Sequence, residues 1–313
     1  MEKIRIIGDF HLSDITPRSW QISYFENCLF ELGEVSKGVS NLIVLGDFFD
    51  KPSIPDAYKL RLINKLRDIR NSGCAVWSIV GNHDIIGYNM SESAFERTSI
   101  KLVDSASEIG GGYFKLIPDE GITLGGISFG VYNGCRGSEL KKAENSTSIL
   151  LAHAFFNNPI DEILNLTPQD LSPLGYHAVF LGHDHEPHKD TNVGKTHIIR
   201  PGAFTRTSSH AYNLNRKPSY VDVCLVDSKI VIEKGVLDSA LPSTDLFREE
   251  CFDKKRENKN FESNLSLMFE AIAENNKDKP DLSLLAVLKE VGASEQVIDY
   301  LRAIHRSRGV AWS

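Results

Sequence analysis

Five times in this chain a short apolar run breaks off into residues able to hold a metal ion or a phosphate. Ile4 to Ile7 leads through Gly8 into Asp9-Phe10-His11, and Leu42 to Leu45 leads into Gly46-Asp47-Phe48-Phe49-Asp50. Val76 to Val80 ends in Gly81-Asn82-His83-Asp84, Ile149 to Ala152 in His153, and Val179 to Leu181 in Gly182-His183-Asp184-His185. Short continuous apolar runs closed by glycine read as buried strands of an α/β sheet. Helical patterns separate the first three. Ile22, Phe25, Leu29 and Leu32 recur at helical spacing with Ser19 as cap; Leu60, Ile63, Leu66 and Ile69 follow Pro55-Asp56 and stop near Gly73. Strand, helix, strand, helix, strand predicts parallel pairing through right-handed crossovers, with the functional crevice beyond the carboxyl ends of the strands. All the polar clusters fall on that edge.

The remaining pattern is more β than α. Residues 86–110 read as a loop with a short helix. Tyr113 to Ile117 and Gly121 to Val131 read as β structure around a turn at Pro118-Asp119-Glu120-Gly121, and Thr196 to Ile199 as a further strand. Tyr220 to Val226 and Lys229 to Glu233 predict a hairpin turning at Asp227-Ser228. From about residue 238 the chain becomes polar, with Lys254-Lys255-Arg256-Glu257-Asn258-Lys259 reading as solvated linker. Helices are expected over 261–275, 281–290 and 294–307. The organisation expected is a catalytic core at 1–199, a short β region capping or completing it at 200–237, a linker at 238–260 and a helical segment at 261–313.

Composition removes several classes. No apolar stretch reaches the roughly 18–20 residues that cross a bilayer, and the N-terminus lacks a signal peptide's layout, so no membrane partner is expected. The five cysteines are odd in number, scattered and without a CxxC pair, which argues against a cysteine zinc site and for reduced thiols in the cytoplasm. A net charge of −7 weighs against a long DNA footprint, although a local positive site can sit on an acidic protein.

Asp9, His11, Asp47, Asn82, His153, His183 and His185 offer imidazole, carboxylate and amide oxygen without sulfur, a set suited to manganese, iron or zinc. With one shared carboxylate these side chains would give each of two ions four protein ligands, and Asp47 is the natural bridge. Two divalent ions against Asp9 and Asp47 leave a local positive surplus that attracts a phosphate ester and acidifies a bridging water. A single Asp or His after a strand is ordinarily a cap or a buried histidine. Jointly, the order and placement of the clusters point to a metal site. His188 is close enough in sequence to line it. Arg200, Arg206 and Arg216, following the last of these strands, are candidates for phosphate-backbone contact.

The series DxH, GDxxD, GNHD, a lone His and GHxH resembles the calcineurin-like metallophosphoesterase superfamily over roughly residues 1–235. Asp9-Phe10-His11-Leu12, Gly46-Asp47-Phe48-Phe49-Asp50 and Gly182-His183-Asp184-His185 resemble its SbcD-type DNA-repair nucleases. The chain departs from that branch at Phe10 and Ser13, where Trp and Gly are frequent, and in the short 200–237 region. The resemblance implies a four-layer α/β/β/α sandwich. It implies one ion on Asp9, His11, Asp47 and His185, and another on Asp47, Asn82, His153 and His183. His83 would touch the scissile phosphate and protonate the leaving oxygen, Asp84 would orient His83, and Asp50 would support a ligand histidine. The implied cofactor is a pair of divalent ions, manganese before iron, zinc or magnesium. The implied partners are DNA and an SMC-like ATPase of SbcC type gripped by the C-terminal helices, the alternative being that those helices pack back on the catalytic domain; a homodimer is a further expectation. Alternatives are hydrolysis of nucleotides or small phosphate esters, and a non-catalytic scaffold for the ATPase.

Overall fold

The computed structural model describes residues 2–87, 90–137, 139–158 and 164–252. Residues 1–248 form one compact unit and 249–313 a second. The helices expected within 261–313, and the linker beyond residue 252, lie outside the described residues.

In chain order the first unit runs β1 (Ile4–Ile7), α1 (Tyr24–Val35), β2 (Asn41–Val44), α2 (Asp56–Asn71), β3 (Ala75–Ser78), α3 (Glu92–Phe95), α4 (Ser99–Ile109) and β4 (Phe114–Leu116). It continues with β5 (Ile122–Leu124), β6 (Ile127–Tyr132), β7 (Ser148–His153), β8 (Phe155–Phe156), β9 (Asn165–Leu166), α5 (Pro168–Leu171) and β10 (Ala178–Gly182). The last elements are β11 (Thr191–Val193), β12 (Thr196–Ile199), α6 (Ala211–Leu214), β13 (Ser219–Val226), β14 (Lys229–Val236) and α7 (Ser243–Leu246).

Two six-stranded sheets carry the unit, ordered β14-β13-β1-β2-β3-β4 and β11-β12-β10-β7-β6-β5. The pairs β1·β2, β2·β3, β7·β10 and β6·β7 are parallel. The crossover rule therefore places the ends of β1, β2 and β3 on one edge of the first sheet, and those of β7 and β10 on one edge of the second. The sheets pack face to face because their strands alternate. Ile4, Ile6, Ile43, Val221 and Val223 of the first meet Phe129, Val131, Ile149, Leu151 and Phe180 of the second in one buried cluster. The other face of the second sheet, with Leu150, Ala152, Val179, Leu181 and Ile198, is covered by Leu171 of α5 and by Leu174 and Tyr176. Helices α1, α2 and α4 form the outer layer on the first sheet, with α2 against β3 and α4 against β4. The mixed α/β sandwich is the architecture expected, its outer layer on the second sheet reduced to one helical turn and loops.

The 200–237 region is part of the first sheet. β13 pairs antiparallel with β1, and Arg5 and Asp222 face each other in register. Their side chains form a two-pronged bond, Nε to Oδ1 at 2.6 Å and Nη2 to Oδ2 at 2.8 Å, and the guanidinium lies over the Tyr220 ring at 3.8 Å. Asp227 and Ser228 both take left-handed φ (48° and 61°), as a tight hairpin turn requires.

Candidate metal centre

Each polar cluster sits where a strand ends in a sharp turn, and close backbone approach is what the adjoining glycines permit. A Cβ on Gly81 would lie 2.1 Å from the Asp47 amide nitrogen, and one on Gly182 2.3 Å from the Leu45 carbonyl and 2.6 Å from Asp9 Oδ1. The turns are bonded to one another. His11 N donates to the Asp47 carbonyl at 2.7 Å, and His183 N to the Asp9 carboxylate at 3.0 Å. His83 N donates to Asp47 Oδ1 at 2.7 Å.

The side chains gather into groups around Asp47. Asp9, His11, Asp47 and His185 bring one donor atom each within 4.8 Å of one another, as do Asp47, His153 and His183. In the first group His11 Nε2 is 2.8 Å from His185 Nε2 and 3.7 Å from Asp47 Oδ2, and His185 Nε2 is 3.7 Å from Asp9 Oδ2. In the second, His153 Nε2 is 3.3 Å from Asp47 Oδ2 and 2.8 Å from Asn82 Oδ1. Asp47 Oδ2 thus faces both groups, is buried and accepts no hydrogen bond. His11, Asp50 and His83 form a third cluster beside them.

These residues fit divalent cations. The Leu45 carbonyl accepts from His153 Nδ1 at 2.9 Å, which leaves the Nε2 lone pair directed at Asn82 Oδ1 and Asp47 Oδ2. Acceptors facing acceptors in a buried space ask for positive charge between them. Separations of 2.8–3.7 Å are those of ligand edges around an ion bonded at roughly 2.0–2.2 Å. Nitrogen and oxygen donors without sulfur suit manganese, iron or zinc.

The electrostatics point the same way. Burial pushes the Asp9 carboxyl up to about 6 against the pull of His153, while burial of Asp47 is outweighed by His153 and His11, which hold it below the usual carboxylate range. His153, although burial disfavours its charge, is raised to about 10 by Asp47 and Asp9. His185 falls to about 3 through burial and the neighbouring His11. With only protein atoms present, one imidazole proton does what a cation would do for two buried carboxylates.

Several expectations are corrected by the geometry. Asp84 does not hold His83. Its buried carboxylate accepts from Phe49 N and Gly81 N at 2.9 Å and Phe48 N at 3.2 Å, pinning the turn after β2 to the turn after β3, and burial with Asp47's charge raises it to about 7. The His83 ring is fixed instead by Nδ1 on the Asp50 carbonyl at 2.8 Å. The Asp50 carboxylate lies 3.6 Å from His11 Nδ1. Arg206 is no surface residue: it is 1% exposed, donating to Glu31 Oε1 and the Leu241 carbonyl, both at 2.9 Å. Arg216 is spent on the Ala203 carbonyl at 2.6 Å and on Asn213 Oδ1 at 2.9 Å. Arg200 lies over the Phe156 ring at 5.5 Å, and His188 bonds Asp184 Oδ2 at 2.7 Å.

Other contributors carried no sequence signal. Tyr24 donates its hydroxyl to the His11 carbonyl at 3.0 Å, and Thr205 to the Phe10 carbonyl at 2.8 Å, fixing the turn after β1 from 13 and 195 residues away. Phe155 packs edge-on against His183 with ring centroids 4.3 Å apart.

Two packed sheets whose strand ends bring His, Asp and Asn donors around one shared carboxylate define a metal-dependent phosphoesterase architecture. The chain belongs to the calcineurin-like phosphoesterases, whose family model matches residues 2–187. Enzymes of this family are metal-dependent hydrolases that use two divalent ions. No curated protein matches the chain. Among solved structures it is similar to TT1561 of Thermus thermophilus, at 11% identity over 75% of this chain and 99% of that one, TM-score 0.44. It is similar to a dimetal phosphatase from Danio rerio, at 12% identity over 77% and 98%, TM-score 0.46. GAP50, the anchor in the inner membrane complex of Plasmodium, matches at 13% identity over 77% and 86%, TM-score 0.44. Among the described residues no helix is long and apolar enough to cross a membrane.

Proposed function

We propose that this chain is a dinuclear metal phosphodiesterase that cleaves DNA, as exonuclease and endonuclease, beside an SMC-like ATPase. The observation that carries the phosphodiesterase reading is Asp47. Its Oδ2 faces His11 on one side and His153 on the other while its Oδ1 holds the His83 backbone, so one carboxylate ties two donor groups to the candidate acid. In this reading Asp9, His11, Asp47 and His185 hold one ion, and Asp47, Asn82, His153 and His183 the other. Bound there, two divalent ions, manganese first among them, supply Lewis acidity toward the phosphoryl oxygens and a water acidic enough to attack phosphorus. The chain's own contribution is to hold the ester in line and supply a proton. The water oxygen, its proton released to solvent, would form the new P–O bond as the bond to the leaving oxygen breaks, and the leaving oxygen would take its proton from Nε2 of a His83 ring that carries a proton on both nitrogens. With Nδ1 committed to the Asp50 carbonyl, Nε2 is the nitrogen left for that transfer.

DNA is favoured as substrate by the Asp9-Phe10-His11-Leu12 and Gly182-His183-Asp184-His185 stretches and their likeness to SbcD-type nucleases. A second reading, hydrolysis of nucleotides or small esters, is favoured by the burial of Arg206 and Arg216, which removes two cations from any DNA track. With manganese, linear DNA, a cyclic nucleotide and bis(p-nitrophenyl) phosphate are assayed with and without the co-purifying ATPase. Degradation of DNA supports the nuclease. Turnover of small esters with no DNA substrate cleaved, ATPase present, overturns it in favour of the second reading.

A further inference from the structure

A sixth strand ends the way the five donor-bearing ones do. β6 breaks off at Tyr132 into Asn133-Gly134-Cys135. Its parallel pairing with β7 sets Tyr132 level with Ala152, so Asn133 stands beside His153. On the far side of β7, Gly182 is level with His153. Asn133 therefore extends the row of strand ends from which His153 and His183 project. It is 1% exposed, and both ends of its amide are used. Oδ1 accepts from the Val80 amide at 3.3 Å, and Nδ2 donates to Asp119 Oδ1 at 2.7 Å. A backbone N–H can only donate and a carboxylate only accept, so the amide can face only one way.

Val80 needs that acceptor. The ladder between β3 and β2 ends with Ile79 N on the Val44 carbonyl at 3.2 Å, and Val80, 2% exposed, lies just beyond it. A buried N–H without a partner would be costly. The amides that follow are held within the first sheet's own turns, Gly81 N by Asp84 Oδ2 at 2.9 Å and His83 N by Asp47 Oδ1 at 2.7 Å. Among the described residues, Val80 is where the backbone of this turn is bonded to the second sheet. Asn133 takes its N–H, and Cys135 Sγ lies 3.7 Å from its carbonyl. His153 does the same for the neighbouring turn, with Nδ1 on the Leu45 carbonyl at 2.9 Å. Side by side, His153 gauges the second sheet against the turn after β2, and Asn133 against the turn after β3. Resting on the dinuclear reading, we propose that Asn133 is a positioning residue for the ion held by Asp47, Asn82, His153 and His183. By holding Val80 it sets how far Asn82 stands from His153, 2.8 Å between Oδ1 and Nε2. The turns bearing Asp9, His11 and His185 are tied to one another, to Asp47 and to the 203–204 backbone without Val80. The effect therefore falls on one ion of the two.

The test titrates the metal-free full chain with manganese alone, by calorimetry, with the melting temperature of each variant as the check on folding. The wild-type chain is expected to bind two ions. Asn133→Leu, of similar size but unable to accept from Val80, is expected to bind one ion at the wild-type affinity and the other roughly 10- to 100-fold more weakly. Asn133→Asp is expected to show the same selective loss, because two carboxylates then face each other where a 2.7 Å hydrogen bond stood. Adding Asp119→Asn to it exchanges donor and acceptor across that contact and keeps an acceptor for Val80, so the weakened ion is expected to return to near the wild-type affinity. Both ions weakened to the same extent in a folded variant, or neither weakened, overturns the positioning role and leaves the dinuclear reading intact. Where Asn133→Leu does not fold, the Asn133→Asp variants decide: recovery in the double variant supports the role, and no recovery overturns it. A wild-type chain that binds fewer than two manganese ions overturns the dinuclear reading and this inference with it.

Discussion

Backbone conformation marks the candidate centre as clearly as the side chains do. Among the described residues six non-glycine positions have positive φ, and three of them are His11 (46°), Asp47 (45°) and His183 (82°). Each such residue costs about 1–3 kcal/mol and persists where its surroundings over-determine it. The glycines before them supply the room. Gly182→Ala would drive a Cβ into the Leu45 carbonyl and the Asp9 carboxylate, so we expect loss of bound metal by elemental analysis and a lowered melting temperature. In the proposed mechanism His83 is separable from the metal chemistry. His83→Ala should lower kcat about 100- to 10,000-fold while metal content stays at the wild-type level. Loss of metal in that variant would make His83 a ligand and the assignment of its role wrong. The donor types were legible because each followed an apolar run. Asp50 beside the ligand histidine His11 was legible too; the partner of His83 was not, since what aims it is a backbone carbonyl at Asp50, and a carbonyl has no residue identity to read.

Among the elements, those with clean periodicity were legible, while polar or mixed ones were misread. β1 and the βαβ order appear in the structure as expected. In α2 the buried side is Leu62, Leu66 and Ile69, and Leu60 is 58% exposed. The helix carries apolar residues on more than one side, so spacing alone did not fix its inward face. Helix α4 was expected only as part of a loop with a short helix. Its Ser99, Asp104 and Ser107 are buried through bonds to the Ile54, Leu116 and Phe114 amides, and so do not look like a core face. The same blindness applies to Arg206, which reads as a solvated cation and is a buried strut between α1 and the segment before α7. Arg206→Ala should cost about 3–5 kcal/mol in urea unfolding, because it leaves the Glu31 carboxylate buried and unpaired. A cost below about 1 kcal/mol would mean that Glu31 is reached by water.

For the whole molecule, the centre lies on the seam between the sheets, with Asp9, Asp47 and Asn82 from the first and His153, His183 and His185 from the second. Ions bound there would cross-link the sandwich. Chelation should therefore lower the melting temperature by about 5–10 °C if ions are normally near 100-fold above their Kd. Calorimetry with and without EDTA measures this; an unchanged transition would mean that metal binding is uncoupled from the packing of the two sheets. The thiols report on the same packing. Burial raises the thiols of Cys74 to about 11 and Cys135 to about 12, and that of Cys28 well above its ordinary value. Maleimide labelling at pH 8 followed by mass spectrometry should find these three cysteines modified only after unfolding.

The seam also imposes an order of events on a growing chain. The donors run from Asp9 to His185, and the last strand to join the first sheet beside β1 is β13, beyond residue 218. A nascent chain that has emerged past the turn after β3 carries Asp9, His11, Asp47 and Asn82 at the ends of adjacent strands with nothing to face them. On the proposed ligand set the centre is complete only when the second sheet closes over the first, and a polypeptide cut short before residue 183 would lack two of its seven donors. Synthesis itself keeps a metal-armed hydrolase disarmed until nearly all of its scaffold is in place.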